Sequence, residues 1–286
     1  MRVGNLSGRL ALFTAAGAVD VEEASGGRFG PDPQRVYEVW DDFLSWATAG
    51  DQARAVHAGA VEFDPAELGP PTPSPAQVFA IGLNYREHAA ESNLAVPDMF
   101  PPVFTKFRTS LSGPVSTVVI PPGGHVDWEV ELVAVIGRRA QHVRFGDAWS
   151  HIAGVTAGQD LSERIIQLSG PAPQFSLGKS FPGFAPVGPW VVTPDELRDR
   201  DDLELQCTLN GETVQHGRTS DLIFSVPALV EGLSRVTPLL PGDIIFCGTP
   251  AGVGMGRNPQ RFITAGEELV SQIDGVGELR QTFVDA

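Results

Sequence analysis

Residues 125–137, His-Val-Asp-Trp-Glu-Val-Glu-Leu-Val-Ala-Val-Ile-Gly, set three acids inside one of the most apolar runs of the chain. Asp127, Glu129 and Glu131 recur at every second position. On a β-strand such residues share one face; on a helix Asp127 and Glu131 would be neighbours and Glu129 would point elsewhere. Trp128, Val130, Leu132, Ala134 and Ile136 then make an unbroken apolar face opposite, and the β-branched content favours the strand. A strand this apolar is expected at the centre of a sheet, where acids on one face need something to pair them. A hard divalent cation does so, because Mg²⁺, Mn²⁺ and Ca²⁺ take carboxylate oxygens. Two acids of one strand supply two ligands, and a third is expected from another segment.

"GVTAGQDLSER" offers that third group. Residues 152–158 read as a strand, and Asp160 falls at its end, ahead of a helix that Ser162 could open. Strand ends are where scaffolds place reactive residues. In "NYREHAAES", His88 and Glu91 lie three apart on a short helix and can touch. A carboxylate beside an imidazole fixes its tautomer and raises its basicity, which suits a general base acting on water. Lys179, in "FSLGKSFPGF", is a lone cation in an apolar stretch, able to neutralise a substrate carboxylate or a developing anion. Arg108 and Arg164 are further cationic candidates. "GTPAGVGMG", residues 248–256, lacks the Gly-Lys-Ser/Thr ending of a nucleotide loop. It reads as a tight turn whose backbone approaches something closely, with Thr249 offering a hydroxyl and an amide to an anionic group.

The balance of 20 basic against 35 acidic residues, net -15, argues against nucleic acid or an anionic membrane as main partner. No 18-residue apolar run exists to span a bilayer, and "GRLALFTAAG" reads as a first strand rather than a signal-peptide core. A cytoplasmic protein is expected. Cys207 and Cys247 sit in apolar strand-like runs and are expected as buried, inert thiols. The Pro-rich stretch 67–77 divides the chain into a small N-terminal domain, 1–72, and a catalytic domain, 73–286. The first carries a strand pair and a helix with Val36, Val39, Trp40, Phe43, Leu44 and Trp46 at helical spacing. In the second, strands dominate, helices are expected at 161–168, 194–198 and 221–235, and Asn210-Gly211 marks a hairpin. The fold class is a β-rich α+β protein built around a barrel or roll.

Six segments, taken in order, resemble the fumarylacetoacetate hydrolase family over about residues 78–284. They are "GLNYREHAAE", "DWEVELVAVIG", "GQDLSER", "LGKSF", "LNGETVQHGRTSDLIFSVPALV" and "LLPGDIIFCGTPAGVG". The resemblance implies a β-roll with a mixed sheet, a homodimer, and often a small N-terminal domain. It implies that Glu129, Glu131 and Asp160 hold a divalent cation, Mg²⁺ or Mn²⁺, with Ca²⁺ suited to the same oxygens. His88 and Glu91 would form a water-activating dyad on a lid helix, with residues about 87–100 mobile before ligand binds. Lys179 would contact substrate and the Gly-Thr-Pro turn at Thr249 would meet its carboxylate. Tyr85, Arg108, Arg164 and Gln167 are the other expected substrate contacts. Asp127 is not among the family's cation ligands and is expected either to support them or to serve the structure.

The expected reaction is hydrolysis of a C–C bond in an acylpyruvate-type 2,4-dioxo acid, of the kind met in aromatic catabolism. Water activated by the dyad attacks the distal carbonyl, and the cation and Lys179 stabilise the departing enolate. The same platform without the dyad still stabilises an enolate. Oxaloacetate decarboxylation, or isomerisation and hydration of 2-oxo-enoic diacids, is therefore the alternative, and a non-catalytic ligand-binding relative the remote one. In each enzymatic case the partner is a small anionic 2-oxo acid.

Overall fold

The computed structural model describes residues 1–49, 59–91 and 100–286. The strands that organise it are β1 (Arg2–Leu6), β2 (Arg9–Thr14), β3 (Gly17–Asp20), β4 (Val78–Ile81), β5 (Val103–Thr105), β6 (Val115–Ile120) and β7 (Val130–Ile136). They continue with β8 (Ile152–Gln159), β9 (Ala185–Val192), β10 (Glu204–Leu209), β11 (Glu212–Arg218), β12 (Ile244–Phe246), β13 (Glu268–Ile273) and β14 (Gly277–Asp285). A mixed sheet runs β3-β2-β1-β9-β8-β7-β12-β4-β5, with Leu68–Gly69 added to β1 and Leu111–Ser112 to β9. A second sheet runs β11-β10-β13-β14-β6. The fold is strand-rich α+β, as the pattern implies.

β7 occupies the centre of the first sheet, antiparallel to both β8 and β12, and every one of its residues is buried. Trp128, Val130, Leu132, Ala134 and Ile136 all enter one hydrophobic cluster, while Val133 and Val135 enter another on the opposite face. The period-two reading therefore holds, but the strand is not continuous. The ladder starts at Val130; Val126–Asp127 pair separately with Ser162–Glu163, and Trp128 and Glu129 lie between in neither. Side chains replace the missing ladder bonds. The Glu129 N–H donates to Gln159 Oε1 at 2.9 Å and the Val130 N–H to Gln215 Oε1 at 3.0 Å. This satisfies buried amides that would otherwise be costly.

The helices are shorter than their sequence spans suggest. α1 (Val21–Ala24) and α2 (Trp40–Thr48) precede the Pro-rich stretch, and α2 buries Trp40, Phe43 and Trp46 as its spacing requires. α3 (Arg86–Glu91) carries the His-x-x-Glu pair. Of the expected helix 161–168 only α4 (Arg164–Gln167) forms, because Ser162 and Glu163 are drawn into the short ladder and the Glu163 side chain becomes the cap. α5 (Phe175–Gly178) precedes Lys179. The span 194–198 is a 3-10 turn at Pro194–Glu196, and 221–235 contains α6 (Val226–Ser234) after a separate 3-10 turn. Asn210 and Gly211 both take positive φ, 51° and 83°, as the hairpin turn between β10 and β11 demands.

Residues 1–72, expected as a small separate domain, share both sheet and core with the rest. β1 pairs with β9, and Val3, Leu10, Leu12 and Phe43 belong to the same cluster as Val133, Val135 and Phe246. Both cysteines are free and fully buried. Among the described residues, no helix is long and apolar enough to cross a membrane.

Candidate active site

Glu129, Glu131 and Asp160 converge where β7 begins and β8 ends. Each is buried, and one oxygen of each lies within 4.8 Å of the others. Three buried cations surround them. Lys179 Nζ stands 2.7 Å from Glu129 Oε2 and 2.7 Å from Asp160 Oδ2. Lys106 Nζ lies 2.5 Å from Asp160 Oδ1 and also donates to the Lys179 carbonyl. Arg164 Nη1 reaches Glu129 Oε1 and Gln167 Oε1, both at 2.8 Å.

These contacts split the acids electrically. Burial would raise the Glu129 carboxyl, but the Lys179 and Arg164 charges outweigh it and hold the group at about 2. Glu131 makes no ion pair among the described residues; its Oε2 accepts the Gly248 N–H at 2.6 Å. Burial, with the Asp160 and Glu129 charges beside it, pushes its carboxyl well above the usual range. A divalent cation is the group that would offset this repulsion. The donor set fits one, being three hard carboxylate oxygens gathered within 4.8 Å of one another.

The cations respond in opposite senses. Burial drags the Lys106 ammonium below its ordinary value despite Asp160. For Lys179, burial is outweighed by Asp160 and Glu129, and its ammonium is raised.

A cavity of about 330 Å³ opens onto this cluster and is lined by Glu129, Glu131, Lys179, Arg164, Gln167 and Thr249. His88 and Glu91 of α3 line it too. His88 Nδ1 stands 2.8 Å from Glu91 Oε1, while Glu91 Oε2 accepts the Gly252 N–H at 2.9 Å. The dyad is thus anchored to the glycine-rich turn.

The backbone of that turn donates to three carboxylates, those of Glu131, Glu91 and Asp127. Gly248, at φ +105°, aims its N–H at Glu131, and a Cβ there would come within 2.7 Å of Asn84. Gly254 and Met255 donate to Asp127 at 2.7 and 2.9 Å. Asp127 also receives Trp128 N–H and Arg164 Nε, both at 2.8 Å. It therefore ties the turn, the strand and a cavity arginine together. Arg164 Nη2 lies 2.7 Å from the same Asp127 oxygen, yet its N–H bonds do not point at it, which leaves Nη2 without an acceptor.

Some expected contacts fall elsewhere. Arg108 is exposed and does not line the cavity. Tyr85 is 3% exposed but lines a neighbouring hollow of about 480 Å³ with Pro250 and Leu222. Thr249 lines the cavity, but its hydroxyl donates to Val130 O at 2.9 Å and accepts from Gln215 at 2.8 Å. The lid span 87–100 lies partly outside the described residues. Sequence reasoning passed over Lys106, Gln159 and Gln215. Lys106 was within reach: Phe104 and Lys106 are buried while Val103, Thr105 and Phe107 are exposed, a period-two pattern that turns Lys106 inward.

The fold and site together define a strand-rich protein in which three buried carboxylates converge as a group that could hold a metal ion. The chain belongs to the fumarylacetoacetate hydrolase family: residues 77–284 match the model described as fumarylacetoacetate (FAA) hydrolase C-terminal. It is 41% identical over 208 residues to the Homo sapiens protein named oxaloacetate tautomerase FAHD2A, mitochondrial. That match covers 72% of this chain and 66% of the human protein, just under two thirds of its length. A solved protein of Mycobacterium smegmatis, assigned provisionally as HpcE, superposes with a TM-score of 0.91 at 55% identity over 100% of both chains. The maleylpyruvate hydrolase of Sphingobium sp. SYK-6, solved with manganese(II) and pyruvate, gives a TM-score of 0.80 at 27% identity, covering 100% of each chain.

Proposed function

We propose that this protein is a divalent-cation-dependent hydrolase that cleaves a C–C bond in a 2,4-dioxo acid, with Glu129, Glu131 and Asp160 as cation ligands. The observation that carries the reading is the His88–Glu91 pair, closed at 2.8 Å, lining the same cavity as the carboxylate triad. A bound Mg²⁺ or Mn²⁺ would act as Lewis acid toward the oxygens of the oxo acid. Glu91, with one oxygen on His88 Nδ1 and the other on Gly252, fixes the tautomer that leaves Nε2 free to take a proton from water. The hydroxide so formed adds to the distal carbonyl carbon. The bond from that carbon to the adjacent methylene then breaks, releasing a carboxylic acid and a pyruvate unit that regains a proton. Lys179, buried and held by two carboxylates, faces the charge that develops on the pyruvate fragment. Arg164, with Nη2 unpaired, offers a donor for the substrate carboxylate.

The test is His88→Ala assayed on acetylpyruvate and oxaloacetate with bound cation measured in parallel. Hydrolysis should fall by about 10²–10⁴-fold while the cation stays bound and any action on oxaloacetate survives. Equal loss of both activities argues against the water-activating role. The second reading, enolate chemistry on oxaloacetate alone, draws support from the name of the human relative; turnover of oxaloacetate without acylpyruvate cleavage would establish it. A homodimer is part of the same proposal.

A further inference from the structure

Resting on the hydrolase reading above, we propose that the cavity selects a 2-oxo monocarboxylate whose distal group is uncharged and apolar, with Phe104, Phe175 and Leu168 as specificity-determining residues. The argument begins with where the cations are. Among the described residues, those lining the cavity are Arg164, Lys179 and His88. Lys179 pairs with Glu129 and Asp160, His88 with Glu91, and Arg164 with Asp127, Glu129 and Gln167, its Nη2 alone keeping a donor for the head-group carboxylate. The two permanent charges, Lys179 and Arg164, both stand on the carboxylate triad, where the oxo acid's own head group is read.

The remaining wall is mainly hydrocarbon, built by Ile81, Leu83, Phe104, Leu168, Phe175 and Met255; the polar Gln260 also lines it, with its amide nitrogen donating to the Met255 carbonyl at 3.0 Å. Phe104 marks the change of character. Lys179 Nζ lies 5.1 Å from its ring centre, and the ring packs edge-on against Phe175 at 5.6 Å and 67°. The apolar wall thus begins one ring away from the ammonium. Leu83 holds φ +56°, a backbone conformation that bulky residues rarely adopt, and still presents itself to the cavity.

Nearby arginines do not serve that wall. Arg108 is exposed outside the cavity. Arg257 donates to Val214 O at 3.0 Å and lies over the Trp128 ring, while Arg261 pairs with Glu267. A second carboxylate on the substrate would therefore be stripped of water against phenyl and alkyl groups, with no cation among the described residues to receive it. An alkyl or aryl acyl group would instead gain by burial. This separates the chain from a diacid-selective enzyme.

The matched pair 2-oxohexanoate and 2-oxoadipate, equal in carbon number and differing in the distal carboxylate, tests the inference by calorimetric titration of Mn²⁺-loaded protein. The expected result is 2-oxohexanoate bound at least about tenfold more tightly, and Leu168→Arg, at a half-exposed position, narrowing or reversing the ratio. Equal or tighter binding of 2-oxoadipate by the wild type overturns the inference and leaves the hydrolase reading standing. Binding of neither overturns both. An intact ratio without any acylpyruvate cleavage supports the inference and overturns the hydrolase reading alone.

Discussion

Residues 126–131 and residues 132–136 form one run of sequence, yet they are held in place by different means. From Leu132 onward the backbone is bonded on both sides to β8 and β12, and the side chains fill two hydrophobic clusters. Before it, the ladder lapses at Trp128 and Glu129, and the side chains of Gln159 and Gln215 take over on the amides, while the Asp160 backbone N–H donates to the Glu129 carbonyl. Regular pairing maximises stability but points every side chain by the pleat. Where it lapses, polar side chains can aim carboxylates and cations at one point, at the cost of buried charges that must all be matched. The buried carboxylate triad of Glu129, Glu131 and Asp160 is gathered at that lapse.

The contrast can be broken most strongly from its polar half. Asp160→Asn removes one carboxylate charge and leaves Lys106 and Lys179 facing a neutral amide. Activity should fall on the order of a thousandfold, the several kcal/mol a bound cation contributes to charge stabilisation. Leu132→Ala, 1% exposed in the apolar half, should instead cost about 2–5 kcal/mol of stability and leave the folded enzyme's activity near wild type. Metal content, kcat/KM and urea midpoints on both variants decide the matter; unchanged metal content and rate in Asp160→Asn would refute the ligand assignment.

Gln215→Leu probes the join between the halves. It leaves the Val130 N–H without its acceptor and frees the Thr249 hydroxyl and Pro250 carbonyl. The expected loss is about 1–3 kcal/mol of stability with a fall of roughly 10–100-fold in kcat/KM. A loss of stability alone, as in Leu132→Ala, would mean that the glutamine serves only the fold.

The smallest effect concerns Cys207, which lies 3.4 Å from Gln159 Nε2 beneath the join. Burial pushes its thiol from 9.0 up to about 12. A raised thiol value means folding favours the protonated form, so this contribution is whole below pH 9 and lost as pH climbs from 9 toward 12. Folded protein at pH 8 should resist iodoacetamide at both cysteines and react only once unfolded. Rapid labelling of the native protein would show that the core beneath the site opens readily.

Much of this was legible from local pattern. The alternation around 125–137 placed Glu129 and Glu131 on one face and five apolar residues on the other, because a strand's period is two whatever surrounds it. The His88–Glu91 spacing brought the dyad into contact for the analogous helical reason. The helix at 161–168 was misjudged because a two-residue pairing with Val126–Asp127 outcompeted local helix propensity. Arg108 drew attention for its charge, while Lys106, two residues earlier, is the one that the strand turns inward.

By itself, then, the sequence determined the strand-rich class, the shared face of Glu129 and Glu131, the Asn-Gly hairpin and the buried cysteines, all of which follow from periods and residue chemistry within a few positions. Tertiary structure decided what needs segments distant along the chain to meet. It joined the N-terminal strands to the main sheet, and it set Lys106 and Lys179 on Asp160 while leaving Glu131 without a cation. It also resolved the third acid of the stripe. Asp127 spends its two oxygens on Trp128, Gly254, Met255 and Arg164, and no spacing within residues 125–137 could reveal partners that lie up to 128 positions away.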